Sequence, residues 1–263
     1  MCCTGKPDVL SVSSRAAPPL SASASGEQIV QETNKSTSKA RVYLVEDHPV
    51  VREYIAAHVR NDLGLEVCGG AGNTKQALAE VQQMKPDLVI IDLSLADGHG
   101  FELIKDIGLT PPAPRMLVFS AHDEEVYAER VLEAGALGYV RKTASEAELL
   151  EAIRRVLNGQ VYLSASMTSK VLLRRVTPPR GDHRSPIQAL SDRELQVFEL
   201  IGNGQSTKQI ASTLGVDAKT IETYRARIKE KLGLDSAPAL MRAAFQWVNH
   251  GAAPELEAGQ PLP

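Results

Sequence analysis

The sequence predicts an α/β domain, a doubly wound five-stranded parallel sheet, followed by a smaller all-α helix-turn-helix domain. Three observations carry that expectation. Between residues 41 and 159, short apolar runs alternate five times with longer stretches of helical periodicity, as in a parallel sheet covered on both faces. Carboxylates, a hydroxyl and an ammonium stand where those apolar runs stop, which is where such a sheet gathers its chemistry. From about Leu190 onward, helix-start signals become dense.

Taken in order, residues 1–39 are rich in Ser, Ala, Thr and Pro without apolar periodicity, as in "SVSSRAAPPLSASASGE", and are expected to form a disordered tail. The segments "RVYLVED", "LEVCGGA", "PDLVIIDL", "RMLVFSA" and "LGYVRK" read as strands, and "VVREYIAAHVRNDL", "TKQALAEVQQM", "GFELIKDIG", "EEVYAERVLEAG" and "SEAELLEAIRRVLNG" as the helices after them. This first domain spans 40–159. Residues 160–189 read as a linker with one short helix, marked by Met167, Val171 and Leu172, before the Pro-rich "TPPRGDHRSPIQA". The second domain is expected over 190–249, and the Pro/Gly-rich tail over 250–263.

Composition narrows the function classes. The 263 residues are 43% hydrophobic, enough for two modest cores. No run of 18 apolar residues occurs and the first 40 residues lack a basic-then-apolar export pattern, so a cytoplasmic protein without a membrane partner is expected. Cys2, Cys3 and Cys68 form no paired framework and lack zinc-ligand spacing. Charge is uneven: residues 41–159 carry a net −7, residues 160–189 a net +4 and residues 190–263 a net −1. A domain at −7 repels nucleic acid, so any DNA contact falls to the C-terminal part.

The strand ends hold the chemistry. Glu46 and Asp47 follow the first strand, Asp92 the third, Ser120 the fourth and Lys142 the fifth. Two adjacent carboxylates at a buried strand end are costly unless a cation is held there. An oxygen-rich site without Cys suits a hard divalent ion, Mg²⁺ before Zn²⁺. A single such carboxylate is commonly a solvated strand end; five matched positions in strand order are not. The stretch from Gly70 to Lys75 imitates a phosphate loop but lacks its spacing, and His48 and His99 suggest surface or capping roles.

On these residues the chain from 41 to 159 resembles a receiver domain of two-component response regulators, a flavodoxin-like fold. The resemblance implies that Glu46, Asp47 and Asp92 bind Mg²⁺ with the main-chain carbonyl of Ser94. It further implies that Asp92 accepts a phosphoryl group from a sensor histidine kinase, that Ser120 and Lys142 contact that group, and that Tyr139 swings inward as the hydroxyl moves. Ala96 stands where the family usually has Pro, and Thr143 follows Lys142 where many receivers have Pro. A phosphohydrolase with an aspartyl nucleophile would want a second acid where Ser94 stands, so an enzyme is not expected.

In the second domain, Ser191 with Glu194 and Ser206 with Gln209 fit capping boxes, and a third helix starts near Ala218 behind Asp217 as its cap. Ile221, Tyr224, Ile228 and Leu232 form one apolar stripe of that helix. Its cations are Lys219, Arg225, Arg227, Lys229 and Lys231, set against Glu222 and Glu230. A short helix, a Gly turn and a basic amphipathic helix can place the last helix in a major groove. "LSDRELQVFELIGNGQSTKQIASTLGVDAKTIETYRARIKEKLG" is similar to the LuxR-type helix-turn-helix, and receiver plus LuxR-type domain is the layout of NarL/FixJ-type response regulators. That resemblance implies a phosphorylation-dependent, promoter-binding transcription regulator, a homodimer when active through "SAPALMRAAFQWV", with the unphosphorylated receiver covering the recognition helix. Candidate DNA contacts are Lys208, Lys219, Glu222, Thr223, Arg225, Ala226, Arg227 and Lys231, with Glu222 and Thr223 reading bases and Arg225, Arg227 and Lys231 holding phosphates. The competing class is a receiver-containing adaptor that never touches DNA.

Overall fold

The structure, a computed structural model, describes residues 39–95, 97–176 and 186–250. Residues 1–38 and 251–263 of the tails expected at 1–39 and 250–263, Ala96 and the Pro-rich stretch at 177–185 lie outside the described residues.

Five strands form one parallel sheet: β1 (Arg41–Val45), β2 (Glu66–Ala71), β3 (Leu88–Ile91), β4 (Arg115–Ser120) and β5 (Gly138–Arg141), in the order β2-β1-β3-β4-β5. Helices α1 (Pro49–Asn61), α2 (Thr74–Met84), α3 (Gly100–Gly108), α4 (Glu124–Glu133) and α5 (Glu146–Leu157) connect or follow them. Period-2 alternation sorts the strand residues. Tyr43, Val45, Val89, Ile91, Met116 and Val118 pack on one face with residues of α2, α3 and α4. Val42, Leu44, Leu88, Ile90, Leu117 and Phe119 pack on the other with α1 and α5. All four residues of β3 are buried, as a central strand covered on both faces requires. At the edge, Val42 pairs with Val67 but Tyr43 with Gly69, so Cys68 is the extra residue of a bulge.

Two features were not legible as elements. A two-residue antiparallel pair, Ser94–Leu95 with Gly98–His99, closes the loop after β3. Part of the expected linker is folded onto the sheet edge: the Tyr139 N–H donates to the Tyr162 carbonyl at 3.0 Å and the Tyr162 N–H to that of Leu137 at 3.0 Å. Helix α6 (Ala165–Val176) follows, with Met167 buried and Leu172 exposed.

A 3-10 turn (Pro186–Ala189) leads into α7 (Asp192–Gly202), α8 (Thr207–Leu214), α9 (Ala218–Leu232) and α10 (Ala237–His250). Both capping boxes form, at Ser191 with Glu194 and at Ser206 with Gln209. Asp217 occupies the cap position of α9, but its side chain makes no cap hydrogen bond, which corrects the role expected of it. Gly215 ends α8 in a left-handed conformation (φ 64°), the turn geometry that glycine allows freely. Gly202 lies where α7 meets α10, and a Cβ there would overlap the Ala244 carbonyl oxygen and lie 2.6 Å from Val248 Cγ2. Gly202→Ala is therefore expected to cost about 1–3 kcal/mol by overpacking. Urea unfolding of the variant checks this; an unchanged midpoint would contradict it.

Candidate functional site

Sheet pairing brings the acids together. Val45 at the end of β1 pairs with Ile91 at the end of β3, so the next residues, Glu46 and Asp92, emerge side by side. Backbone bonds hold them there: the Asp92 N–H donates to the Val45 carbonyl at 2.8 Å and the Glu46 N–H to that of Ala71 at 3.0 Å. Both side chains are almost fully buried. Lys142 comes from the far end of β5, where its N–H donates to the Ser120 carbonyl at 2.8 Å. Its ammonium lies 2.7 Å from Glu46 Oε2 and 2.8 Å from Asp92 Oδ2. Burial acts to lower the Lys142 pKa, but hydrogen bonds and charge from Asp92 and Glu46 outweigh it, and the net shift is upward. This ammonium is one cation that the clustered carboxylates require.

Asp92 Oδ1, in contrast, is buried with no hydrogen-bond partner among the described residues. A buried carboxylate oxygen without a donor is costly, and such an atom marks a place where a ligand binds or a bond is made. Close packing around the loop supports this geometry. A Cβ on Gly100 would lie 2.6 Å from the Asp92 carbonyl oxygen.

Of the two roles expected of His48, surface or capping, the structure has the first: the residue is exposed. It precedes α1 without a side-chain cap bond, and its Nδ1 lies 2.7 Å from Asp47 Oδ1 and 3.2 Å from Glu46 Oε1. The side chain of His99 lies outside the described residues.

Around the acids, one residue missed in the sequence connects the rest. The His122 N–H donates to Ser120 Oγ at 3.3 Å, its carbonyl accepts the Tyr139 hydroxyl at 2.9 Å, and its Nε2 lies 2.7 Å from Ser94 Oγ. Tyr139 already points inward and is fully buried. Burial pushes its phenol well above the usual tyrosine range, with a hydrogen bond to Ser120 opposing. The "SAHD" sequence offers the one signal for His122, two residues past the hydroxyl.

On α9, Ile221, Ile228 and Leu232 are fully buried and Tyr224 is half-buried. Lys219, Glu222, Thr223, Ala226 and Arg227 are exposed, as is Lys208 on α8. Three candidates have partners within the chain. Lys231 Nζ bonds Glu194 Oε2 at 2.6 Å and the Ala189 carbonyl at 3.1 Å; tied to a buried carboxylate, it is withdrawn from the phosphate contacts. Glu222, though exposed, accepts the Thr207 hydroxyl at 2.9 Å, which links α8 to α9. Arg225 is half-buried beside it, Nε 3.9 Å from Glu222 Oε2.

The second domain docks on the first through α7. Asp192 pairs with Lys105 at 3.0 Å and Arg130 at 3.0 Å, and Arg193 with Glu102 at 2.9 Å. Arg130 also donates to the carbonyls of Gln188 at 3.1 Å and Leu190 at 2.6 Å. Burial acts to raise the Asp192 pKa, but Lys105 and Arg130 outweigh it, and the net shift is downward. Glu199, buried, accepts the Tyr127 hydroxyl and lies 3.2 Å from His122 Nδ1. Tyr224 of α9 borders the same cleft as Phe101, Glu102 and Lys105, while Lys219, Thr223, Ala226 and Arg227 on the outer face of α9 are exposed.

Comparison with known proteins agrees with this geometry. Residues 42–154 match the response regulator receiver domain and residues 188–244 the bacterial regulatory proteins of the luxR family. The response regulator GacA of Pseudomonas aeruginosa is 33% identical over 211 residues, 80% of this chain and 96% of that protein. The transcriptional activator protein ExaE of Pseudomonas putida is 34% identical over 205 residues, 78% and 95%. A structure of the RcsB response regulator from Salmonella typhimurium has a TM-score of 0.64 at 22% identity, covering 80% of this chain and 98% of its own, and so supports the fold. No helix among the described residues is long and apolar enough to cross a membrane. With both domains matched in order and relatives aligned over nearly their whole length, the chain belongs to the response regulators that join a receiver domain to a luxR-type DNA-binding domain and act as phosphorylation-dependent transcription regulators.

Proposed function

We propose that Asp92 is the phosphoacceptor, taking its phosphoryl group from a sensor histidine kinase, and that the receiver thereby controls promoter binding in the cytoplasm. The unpartnered, buried Asp92 Oδ1 carries this reading. It forms the new P–O bond as the P–N bond of the donor breaks, the imidazole leaving with the bonding pair. Glu46, Asp47 and Asp92, with the Ser94 carbonyl, would hold Mg²⁺; an all-oxygen donor set fits this hard ion. When bound, the ion supplies charge that offsets the carboxylates and screens the anionic donor. Ser120 and Lys142 contact the phosphoryl group and draw toward it, and the His122 loop, bonded to Ser120 and Tyr139, moves with them. Ser94 in place of a second acid favours a regulator over a hydrolase. Incubation with acetyl phosphate and Mg²⁺ should add one phosphoryl mass to the peptide containing Asp92; label confined to another peptide contradicts the assignment.

The domains proposed are a receiver over 40–159 and a DNA-binding domain over 190–249. Exposed Met241, Phe245 and Val248 on α10 lie at spacings of 4 and 3, one apolar stripe for a homodimer. On α9, Thr223 and Ala226 face base edges, while Lys219, Arg227 and Lys208 meet phosphates. Thr223→Ala is expected to change which sequences are preferred, at about 1–3 kcal/mol on the native site. Arg227→Ala should weaken all sequences alike and flatten the salt slope by about 0.9 per lost phosphate contact. Titrations of native and scrambled sites at several salt concentrations check both; the reverse pattern would mean that α9 docks differently.

A further inference from the structure

The loop that follows Asp92 is a two-residue antiparallel pair, Ser94–Leu95 with Gly98–His99, joined through Ala96 and Asp97. A pair this short is not stable alone, and Ala-Asp is not one of the Asn-Gly or Gly-first sequences that favour so tight a connection. Something outside the loop must hold it. At its base, Leu95 is buried and Gly100 packs against the Asp92 carbonyl oxygen. At its tip, the Asp97 carboxylate accepts the Thr74 N–H at 3.0 Å on Oδ1 and 2.9 Å on Oδ2, and the Thr74 hydroxyl at 3.0 Å on Oδ2.

Thr74 opens α2, where a backbone N–H has no partner within its own helix. The first turn of α2 carries no acidic residue of its own, so Asp97 brings the negative charge that the positive end of the helix dipole favours. The segment just before α2 is already fastened to the acids, since the Glu46 N–H donates to the Ala71 carbonyl at 3.0 Å. Bonds and chain thus close a ring from Glu46 through Ala71 and Thr74 to Asp97, and back along the hairpin to Ser94 and Asp92. We propose that Asp97 is a positioning residue for the metal site: by clasping Thr74 it fixes the loop that carries the Ser94 carbonyl. The clasp rests on the reading of that carbonyl as a Mg²⁺ ligand. A loop ordered beforehand spares the ion the cost of ordering it on binding; with the tip released, that cost returns and affinity falls.

The test is the Mg²⁺ affinity of the full chain, read from the shift of the urea midpoint over a Mg²⁺ series relative to each chain's own value in chelator. The chains are wild type, Asp97→Ala, Asp97→Asn and Thr74→Pro. Thr74→Pro removes both donors while leaving the Asp97 charge in place. It suits the position, because proline is favoured at the first helical residue and Asn73 before it is extended (φ −149°, ψ 156°), as proline requires of the residue it follows. Asp97→Ala and Thr74→Pro are expected to bind Mg²⁺ about tenfold more weakly, the lower end for loss of a group that orients a metal ligand. Asp97→Asn keeps an acceptor and should fall between them and wild type. In chelator, amide exchange should quicken in the same two variants at Gly100, whose N–H donates to the Leu93 carbonyl at 3.1 Å. Wild-type Mg²⁺ affinity in both Asp97→Ala and Thr74→Pro overturns the clasp, even where their stability in chelator is lowered. Absence of any Mg²⁺ response in wild type overturns the Mg²⁺ reading, and the clasp with it.

Discussion

Asp92→Asn is expected to abolish Mg²⁺-dependent labelling by acetyl phosphate while leaving the chain folded. The substitution keeps shape and volume but removes the nucleophilic carboxylate oxygen. The 2.8 Å bond from Lys142 Nζ can be retained by the amide oxygen. Backbone bonds that place residue 92, from its N–H to Val45 and from the Gly100 N–H to the Leu93 carbonyl, do not involve the side chain. Loss of label should therefore be complete rather than graded, read against an unchanged circular dichroism spectrum. Normal labelling of Asp92→Asn would remove the assignment.

Lys142→Ala is expected to have the largest effect on stability. It takes away the ammonium that lies 2.7 Å from Glu46 and 2.8 Å from Asp92 and leaves two buried carboxylates facing each other. Removing one partner of a buried charge pair costs about 3–5 kcal/mol. Because the Lys142 pKa is raised above its ordinary 10.5, the pair's contribution is full below that pH and fades only as pH rises through the higher folded value. The loss should thus be constant through neutral pH. Urea unfolding in chelator should show the deficit, and millimolar Mg²⁺ should restore the variant more than it stabilises wild type. Equal responses of the two chains to Mg²⁺ would contradict the cation account.

Where a residue's placement follows from its own strand end, the sequence reveals that placement. Glu46, Asp92, Ser120 and Lys142 converge because parallel pairing fixes which strand ends are neighbours. The capping boxes at Ser191 and Ser206 were equally legible, since both partners lie within one helical turn. What stayed hidden depends on pairs distant in the chain. His122 acquires its importance from Ser94 on one side and Glu199 on the other, and no local pattern specifies either. Lys231 looked like a phosphate contact by helical position, yet the buried Glu194 claims it. The bond from the Thr207 hydroxyl to Glu222 joins two helices 15 residues apart and was equally hidden. The docking of α7 was hidden for the same reason: Asp192, Lys105 and Arg130 are unremarkable charges until the fold brings them together.

Phosphorylation of Asp92 is proposed to control DNA binding. The most direct measurement of that control is the affinity of the full chain for genomic DNA recovered with the purified protein, by fluorescence anisotropy at fixed salt, with and without acetyl phosphate and Mg²⁺. Coupling between two sites is typically worth about 5–150-fold. Wild type is predicted to tighten by a factor in that range and Asp92→Asn to stay unchanged. An affinity that does not respond to the phosphodonor, or that rises equally in Asp92→Asn, would contradict the account.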